Sequence, residues 1–503
     1  MNRSNIEEVL PLAPLQEGLF FHAMADSDAA YTVQTILELE GALDRARLRT
    51  AAQALVDRHA NLRTAFVVVP TGAVQVVLRQ VDVPWAEAEA EAEAGAGGSG
   101  AGVRELAAAE RARPFVMDAP PLIRFLLIRT GPRAHRLVIT SHHILLDGWS
   151  SPLLLRDLFS LYAGVPAPRP RPYRDYLTWL AARNRDESLA VWRRVLDGLT
   201  EPTLLAVTAP PTPAAASLTP PAGGEVGAGA QGGDGTVAAP DHIPVPLAVD
   251  VQRRLRALAR EHGVTLSTVV QAAWAITLSR FVGRGDVVFG ATVSGRPPEI
   301  AGVESMVGLF INTVPVRVTV DPAETVAALL GRLHRTQSET LEHHHLGLAE
   351  VQALAGLGAL FDTLVVVESY PVDNAAIDRV RAALGVEITA ARTEDATHYP
   401  LTLVADPGAE LRLELEHHPG LLAPHRAREV GELLGEVFAA MVEAPDVLPV
   451  ARLAVAGPPR FAAKNAAENV VPEHLVPFSS VLGVWDGVVA AGGGEVAVVC
   501  GGV

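Results

Sequence analysis

Ten residues at positions 141–150, SHHILLDGWS, constrain this chain more than any other stretch, because the segments on either side of them read clearly. Before them, RLVIT at 136–140 is apolar and β-branched, the composition of a buried strand. After them, SPLLLRDLFSLY reads as a helix, with Ser151 as a candidate N-cap and Pro152 at the first helical position, where its missing N–H costs nothing. His142, His143, Asp147 and Gly148 therefore share one short turn between a strand end and a helix start. Two adjacent imidazoles, a nearby carboxylate and a glycine have the makings of an acid–base site. A bare His-His pair is as often a polar turn; HHxxxDG directly after a strand points to function.

Composition excludes several classes of protein. The chain's 503 residues are enough for two to three lobes with real cores. At 49% hydrophobic and 19% charged it is globular, and a formal charge of −16 argues against a nucleic-acid surface. The single cysteine, Cys500, leaves no intramolecular disulfide and no cysteine-based zinc site, which fits a reducing cytoplasm. The opening MNRSNIEEVLPL has no apolar signal core. The most apolar helix candidate, at 265–283, is interrupted by Ser, Thr, Gln and Arg, so it reads as a buried core helix and not a membrane span.

Taken in order, LPLAPLQEGLFFHAM at 10–24 begins with two prolines and continues as a helix, and TVQTILELEG at 32–41 reads as a strand. Asp44 is a candidate N-cap for a helix whose Leu48, Ala51, Ala52, Leu55 and Val56 form an apolar face at 3.6-residue spacing. The stretch at 84–102 alternates Ala and Glu and then turns to Gly and Ser, which predicts a surface loop without a chemical role. Residues 207–240 are Pro, Gly and Ala with almost no large apolar side chain, a flexible linker or insertion near the boundary of two lobes. A strand, two helices and a strand at 286–299 follow. The histidine run at 343–345 points in different directions with no carboxylate to complete a metal site, so it reads as a surface run.

Several of these segments resemble one family. HHILLDG matches the HHxxxDG signature of nonribosomal peptide synthetase condensation domains and related acyltransferases of the chloramphenicol acetyltransferase superfamily. RHANLRTAF resembles the family's RHExLRTxF, with Ala60 in place of Glu, a change that removes one possible ion-pair partner for a nearby basic residue. RPYRDYLTWL resembles its YxDF/Y segment, and SMVGLFINTVPVRV its VGxFVNTxxxR segment. HHHLGLAEVQ stands where the family has HQDYPFE, and only its first His fits. From about 456 onward the chain resembles an interdomain linker and the first residues of an adenylation domain, without the Gly-rich phosphate loop.

The resemblance implies an α/β fold (an α+β sandwich) of two chloramphenicol-acetyltransferase-like lobes in a V, with the active site at their junction. The implied layout is an N-terminal lobe at 1–180, a C-terminal lobe at 181–455, and the linker and truncated adenylation start at 456–503. The implied reaction is peptide-bond formation between a donor thioester and the amine of an acceptor aminoacyl thioester, both on phosphopantetheine arms of carrier proteins, with no cofactor or metal of the domain's own. His143 is then the catalytic candidate facing the tunnel where the two arms meet. His142 packs and orients the turn, Asp147 pairs with an arginine, and Gly148 leaves room for substrate. Arg296 is the first candidate partner for Asp147 and Arg63 the second. Asn312 offers a hydrogen bond near the tunnel centre, and Trp149 serves either helix packing or the tunnel wall.

Three alternatives remain open: an epimerisation domain, a free-standing acyltransferase of the same superfamily, and a degenerate domain that recruits a partner. Epimerisation domains usually carry a Ser-Trp order after HHxxxDG and lack the FINT-type segment, whereas this chain has Gly148-Trp149-Ser150 and Phe310-Ile311-Asn312-Thr313. LPLAPLQEGLFFH, FINTVPVRV, HLGLAEVQ, LFDTLVVVESYP and THYPLTL resemble condensation domains that act after an epimerisation step, which implies a D-configured donor and an L-configured acceptor. If Met1 is the native start, the donor carrier is on a separate polypeptide. An adjacent adenylation domain is the other expected partner.

Overall fold

The computed structural model describes residues 3–25, 31–90, 101–166, 168–206, 240–369, 383, 385–395, 397–453 and 455. The insertion expected at 207–240, apart from Pro240, and the linker and adenylation-like segment from 456 lie outside them.

β1 (Ile6–Pro11) leads into α1 (Pro14–Ala25), and the next strand is β2 (Thr32–Gly41). α2 (Arg45–Arg58) forms as its pattern predicts: the Asp44 side chain accepts from Arg47 N, and the five apolar positions read from the sequence are all buried. β3 (Thr64–Val69) and β4 (Gly72–Leu78) are a hairpin, which β1 extends to a three-stranded sheet.

The described residues of the stretch at 84–102, expected to be a loop, largely form regular structure instead. Trp85–Glu89 is an edge strand, β5, α3 spans Ala101–Arg111, and 91–100 lie outside the described residues. Alanine's small size is the reason: Ala88 packs beneath α3 with Val103 and Ala107. On the other face Trp85 stacks on Phe125, and Glu87 and Glu89 pair with Arg45 and Arg129. Alternation with period two was the signal, masked by the absence of large apolar residues.

β6 (Ile123–Arg129), β7 (Ala134–His142) and α4 (Ser150–Ala163) follow, then α5 (Arg174–Ala181) and α6 (Arg185–Leu196). The second half contains β8 (Asp241–Pro244), α7 (Val249–Glu261), α8 (Leu266–Val282), β9 (Asp286–Val293), β10 (Asn312–Thr319), α9 (Val326–Thr340) and α10 (Leu348–Ala353). It ends with β11 (Thr363–Val367), β12 (Val386–Glu394), β13 (Leu401–Asp406), β14 (Arg412–His417) and α11 (Pro424–Met441).

Two larger sheets organise the molecule. The first has the order β12-β2-β7-β6-β5, the second β10-β9-β11-β13-β14-β8. Each sheet has its own core. Leu37, Leu48, Leu55, Leu127 and Leu137 lie in the first, and α7, α8, α9 and α11 pack on the second through Leu255, Trp274, Leu330 and Phe438. α8 is buried continuously from Thr268 to Leu278, as its sequence implies for a core helix. Among the described residues no helix is long and apolar enough to cross a membrane.

Two segments from the second half cross to the first. β12 pairs antiparallel with β2 along its length and completes the first sheet. The loop before β10 places Val307 and Leu309 in the first core beside Leu62 and Leu145. Both crossings end beside the His-His turn.

Candidate active site

β7 delivers the histidines at its last residue and just beyond it. The His142 N–H donates to Leu122 O (3.0 Å) and the His143 N–H to Tyr31 O (2.8 Å), so the chain is held from both flanks as it leaves the sheet. Residues His143–Leu145 form a 3₁₀ turn capped by the His142 side chain, whose Nδ1 accepts from Ile144 N at 3.1 Å. Gln16 on α1 donates from Nε2 to Ile144 O (3.0 Å) and closes the turn from the other side. An Nδ1 that accepts leaves the proton on Nε2, so His142 is neutral. Burial, then the neighbouring His143, push its imidazole down to about 3.

His143 is different. Its side chain keeps some exposure, and Nε2 lies 3.3 Å from Oδ2 of Asp395. Asp395 immediately follows β12, so the crossing strand brings this carboxylate to the turn. Burial alone would lower the His143 imidazole. The Asp395 charge and hydrogen bond, aided by the residue's own carbonyl and by Asp147, outweigh it and raise the group to about 9.

Asp147 is fully enclosed. Its Oδ1 accepts from Ser150 N (2.8 Å), Ser150 Oγ (2.7 Å) and Arg296 Nη2 (3.1 Å), and its Oδ2 from Phe310 N (3.0 Å). Arg296 in turn donates from Nη1 to Val303 O (2.6 Å) and Met306 O (2.9 Å) and lies over the Phe310 ring at 4.0 Å. Gly308 O accepts from Asp147 N (3.1 Å) and Ser150 Oγ (2.8 Å). One buried guanidinium thus fastens the turn to the crossing loop, and further hydrogen bonds to the carboxylate and from both Nη atoms offset the burial of the charge pair, with only the guanidinium's Nε left without a partner among the described residues.

This clamp corrects the helix start. α4 begins at Ser150, and Asp147 accepts its first N–H, so Ser151 is not the capping residue and Pro152 is in the third position. The reason is tertiary: Ser150 is buried with its hydroxyl shared between Asp147 and Gly308.

The other residues singled out in the sequence separate. Trp149 lies beside the clamp, with Nε1 donating to Glu304 O (3.0 Å) and its ring 5.0 Å from the Arg296 guanidinium. Gly148 is half-buried in the turn. Arg63 does not reach Asp147; it binds Glu7 (2.8 Å) and the Leu78 carbonyl. Asn312 is buried and donates to His344 O (2.8 Å) and Leu346 O (2.6 Å), so its amide holds the histidine run in place instead of reaching into open space. That run is not a surface feature: His343–His345 are half-buried, and Ser188 Oγ lies 2.9 Å from His343 Nδ1 and 3.2 Å from His345 Nε2. Among the described residues no group of three or more His, Cys, Asp or Glu is placed to hold a metal.

Sequence reasoning missed Asp395, Gln16, Tyr31 and Ser150. Only Ser150 and Gln16 stood inside segments already singled out; Asp395 is 252 positions beyond His143 and has no local signature. A cavity of about 660 Å³ opens nearby, bounded by Trp179, Trp192, Gln271, Arg296 and His344; its wall does not include His143.

The family model described as Condensation domain matches residues 6–450. The chain belongs to the condensation domain family. Condensation domains are the amide-forming acyltransferases of nonribosomal peptide synthesis. The chain is 33% identical to chondramide synthase cmdD of Chondromyces crocatus over 88% of its own length and 12% of that protein. It is 33% identical to vanchrobactin synthetase VabF of Vibrio anguillarum over 82% of its length and 14% of that protein. It therefore spans a small part of the curated relatives it matches. The first condensation domain of the calcium-dependent antibiotic synthetase, solved with a substrate analogue, aligns at TM-score 0.69 and 21% identity, covering 90% of this chain and 99% of that one. The condensation domain of the monacolin K polyketide synthase aligns at TM-score 0.69 and 18% identity, covering 89% and 100%. The fold is the two-lobed chloramphenicol-acetyltransferase-like fold of condensation domains.

Proposed function

We propose that this domain joins a donor acyl thioester to the amine of an acceptor aminoacyl thioester, both carried on phosphopantetheine arms of carrier proteins in the cytoplasm, and that His143 is its catalytic residue. The observation that carries the reading is the His143 imidazole, held at the end of β7 where β12 and the crossing loop both meet the first sheet. The amine attacks the thioester carbonyl, the C–N bond forms, the C–S bond breaks, and the amine's proton passes to the departing thiolate, which leaves as the thiol. Thioester aminolysis is favourable, so most of the work is positioning. An imidazole can hold the attacking nitrogen or relay its proton, which contributes about 10²–10⁴-fold.

In this reading His142 orients the turn, Asp147 and Arg296 fix it, and Gly148 leaves room for the acceptor, while Arg63, Trp149 and Asn312 support the walls. The lobes are 1–180 and 181–455, with β12 and the crossing loop returning from the second to the first. The donor's terminal residue is D-configured and the acceptor L-configured. Support for that choice is the resemblance of LPLAPLQEGLFFH, FINTVPVRV and THYPLTL to domains that act after epimerisation.

The test is mass spectrometry of the acceptor arm after mixing the protein with a donor peptidyl-carrier and an aminoacyl acceptor carrier. A mass gain that His143→Ala loses or slows is the expected result. No gain across several matched pairs, with deuterium exchange at the Cα of a carrier-bound residue, would point to epimerisation instead. Carrier binding without either reaction would favour recruitment. Faster transfer from the L-donor than from its D-epimer would overturn the stereochemical assignment alone.

A further inference from the structure

Asp395 lies in a short segment tied to the first half at both ends. On one side Glu394 pairs with Arg111 of α3 at 2.8 Å. On the other, His398 Nδ1 meets the Tyr31 hydroxyl at 2.5 Å, and Thr397 O meets His418 Nε2 at 2.5 Å. Tyr31 also accepts the His143 N–H through its backbone carbonyl. A closed circuit results: from His143 N to Tyr31 O, from the Tyr31 hydroxyl to His398, back along the chain to Asp395, and from Asp395 Oδ2 to His143 Nε2. Tyr31 has φ 67°, a left-handed backbone that a residue with a side chain adopts at a cost. That conformation is kept where both its carbonyl and its hydroxyl are in use.

The His143 ring has little else to fix it. Its Nδ1 is buried and meets no partner among the described residues beyond its own backbone carbonyl. The bond to Asp395 therefore sets the ring's orientation.

We propose that Asp395 is a positioning residue of this site: it holds the His143 ring through Nε2 in the substrate-free protein and must release that nitrogen for the reaction. This rests on the reading of His143 as the reacting imidazole. While the pair is closed, Nε2 presents a charged N–H and no lone pair, so His143 cannot take up a proton. The groups facing the pair are His142 and Asp147 from the turn, and Glu368 and Glu416 from the second sheet. Burial, then Asp395, Glu414 and Glu368, push the Glu416 acid up to about 8, so the surroundings of Asp395 already resist further negative charge. His398 is neutral, pushed down to about 3 by burial and by His22 and His418, so it anchors the segment without competing for the carboxylate.

The experiment is an NMR titration of ring-labelled histidine in the full chain, with the His143 signal assigned by its loss in His143→Ala. Wild type is expected to titrate near 9. In Asp395→Asn the midpoint falls to about 6.5 or below, because burial then dominates, a change of more than about a hundredfold in the proton's dissociation constant. Asp395→Glu, which keeps the charge, stays well above the Asn variant. Asp395→Ser serves as a second neutral variant, and matching unfolding midpoints show that each variant is folded. A wild-type midpoint near 6.5, or one that neither neutral variant moves, overturns the proposal. The titration needs no turnover, so it fails or succeeds independently of the acceptor-arm assay.

Discussion

Asp147 and Arg296, 149 positions apart in the chain, bind each other at 3.1 Å with side chains 0% and 3% exposed. Neither charge is isolated: Ser150 and the Phe310 N–H donate to the carboxylate, and Nη1 of the guanidinium donates to two backbone carbonyls, while its buried Nε meets no partner among the described residues. Their union turns a local motif into a joint between the two halves of the molecule.

Removing one member strands the other in the interior. Arg296→Ala or Asp147→Ala should therefore lower unfolding stability by about 3–5 kcal/mol, as measured in denaturant. The double variant should lose clearly less than the sum of the two, because the second change removes the charge that the first left unpaired.

The approach to Arg296 is equally constrained. Gly295 has φ +57°, and a Cβ there would collide with the Phe310 carbonyl oxygen. Gly295→Ala should destabilise the fold by more than about 1–3 kcal/mol, since steric overlap with backbone adds to left-handed strain. The same denaturant measurement checks it. Gly308 is a control of the same kind, because a Cβ there meets Asn61 at 2.9 Å and overlaps the Tyr173 ring.

The two histidines should separate in their variants. His142→Ala removes the acceptor for Ile144 N and leaves a buried donor unpaired, costing about 1–3 kcal/mol of stability. His143→Ala should leave the fold's cap and clamp intact and slow transfer by about 10²–10⁴-fold. Unfolding curves beside the acceptor-arm assay distinguish the two patterns.

Stability should fall on acidification in two steps. His142, held at about 3 against roughly 6.5 in an unfolded chain, binds its proton more readily when unfolded. Its share is complete above about 6.5 and is lost as pH falls toward 3. Burial would raise the Asp157 acid, but hydrogen bonds and charges from His59 and Arg156 hold it down at about 2. Its share is present above the unfolded value of roughly 3.9 and disappears as pH falls through 2. His142→Gln should flatten the upper step and Asp157→Asn the lower one, read from unfolding free energy against pH.

The sequence alone determined what depends on near neighbours. Apolar residues at 3.6-residue spacing made α2, a β-branched run made β7, and a mostly apolar stretch broken by Ser, Thr, Gln and Arg made α8 a core helix and not a membrane span, because each signal lies within one element. HHILLDG carried the family for a similar reason: the turn's chemistry lies in consecutive residues. The need for an arginine partner was also legible, since a carboxylate destined for burial requires a cation, and Arg296 was the first candidate for it. Tertiary structure decided what depends on chain crossings. Asp395 reaches His143 only because β12 leaves the second half to pair with β2, and Ser150 displaces Ser151 at the helix start only because Gly308 arrives from a distant loop. Asn312 turns to the histidine run and Arg63 to Glu7 because the nearest polar groups in space, not in sequence, claim a buried donor. Hydrogen bonds and ion pairs form across a few ångströms, and no periodicity along the chain records which distant residues will come that close.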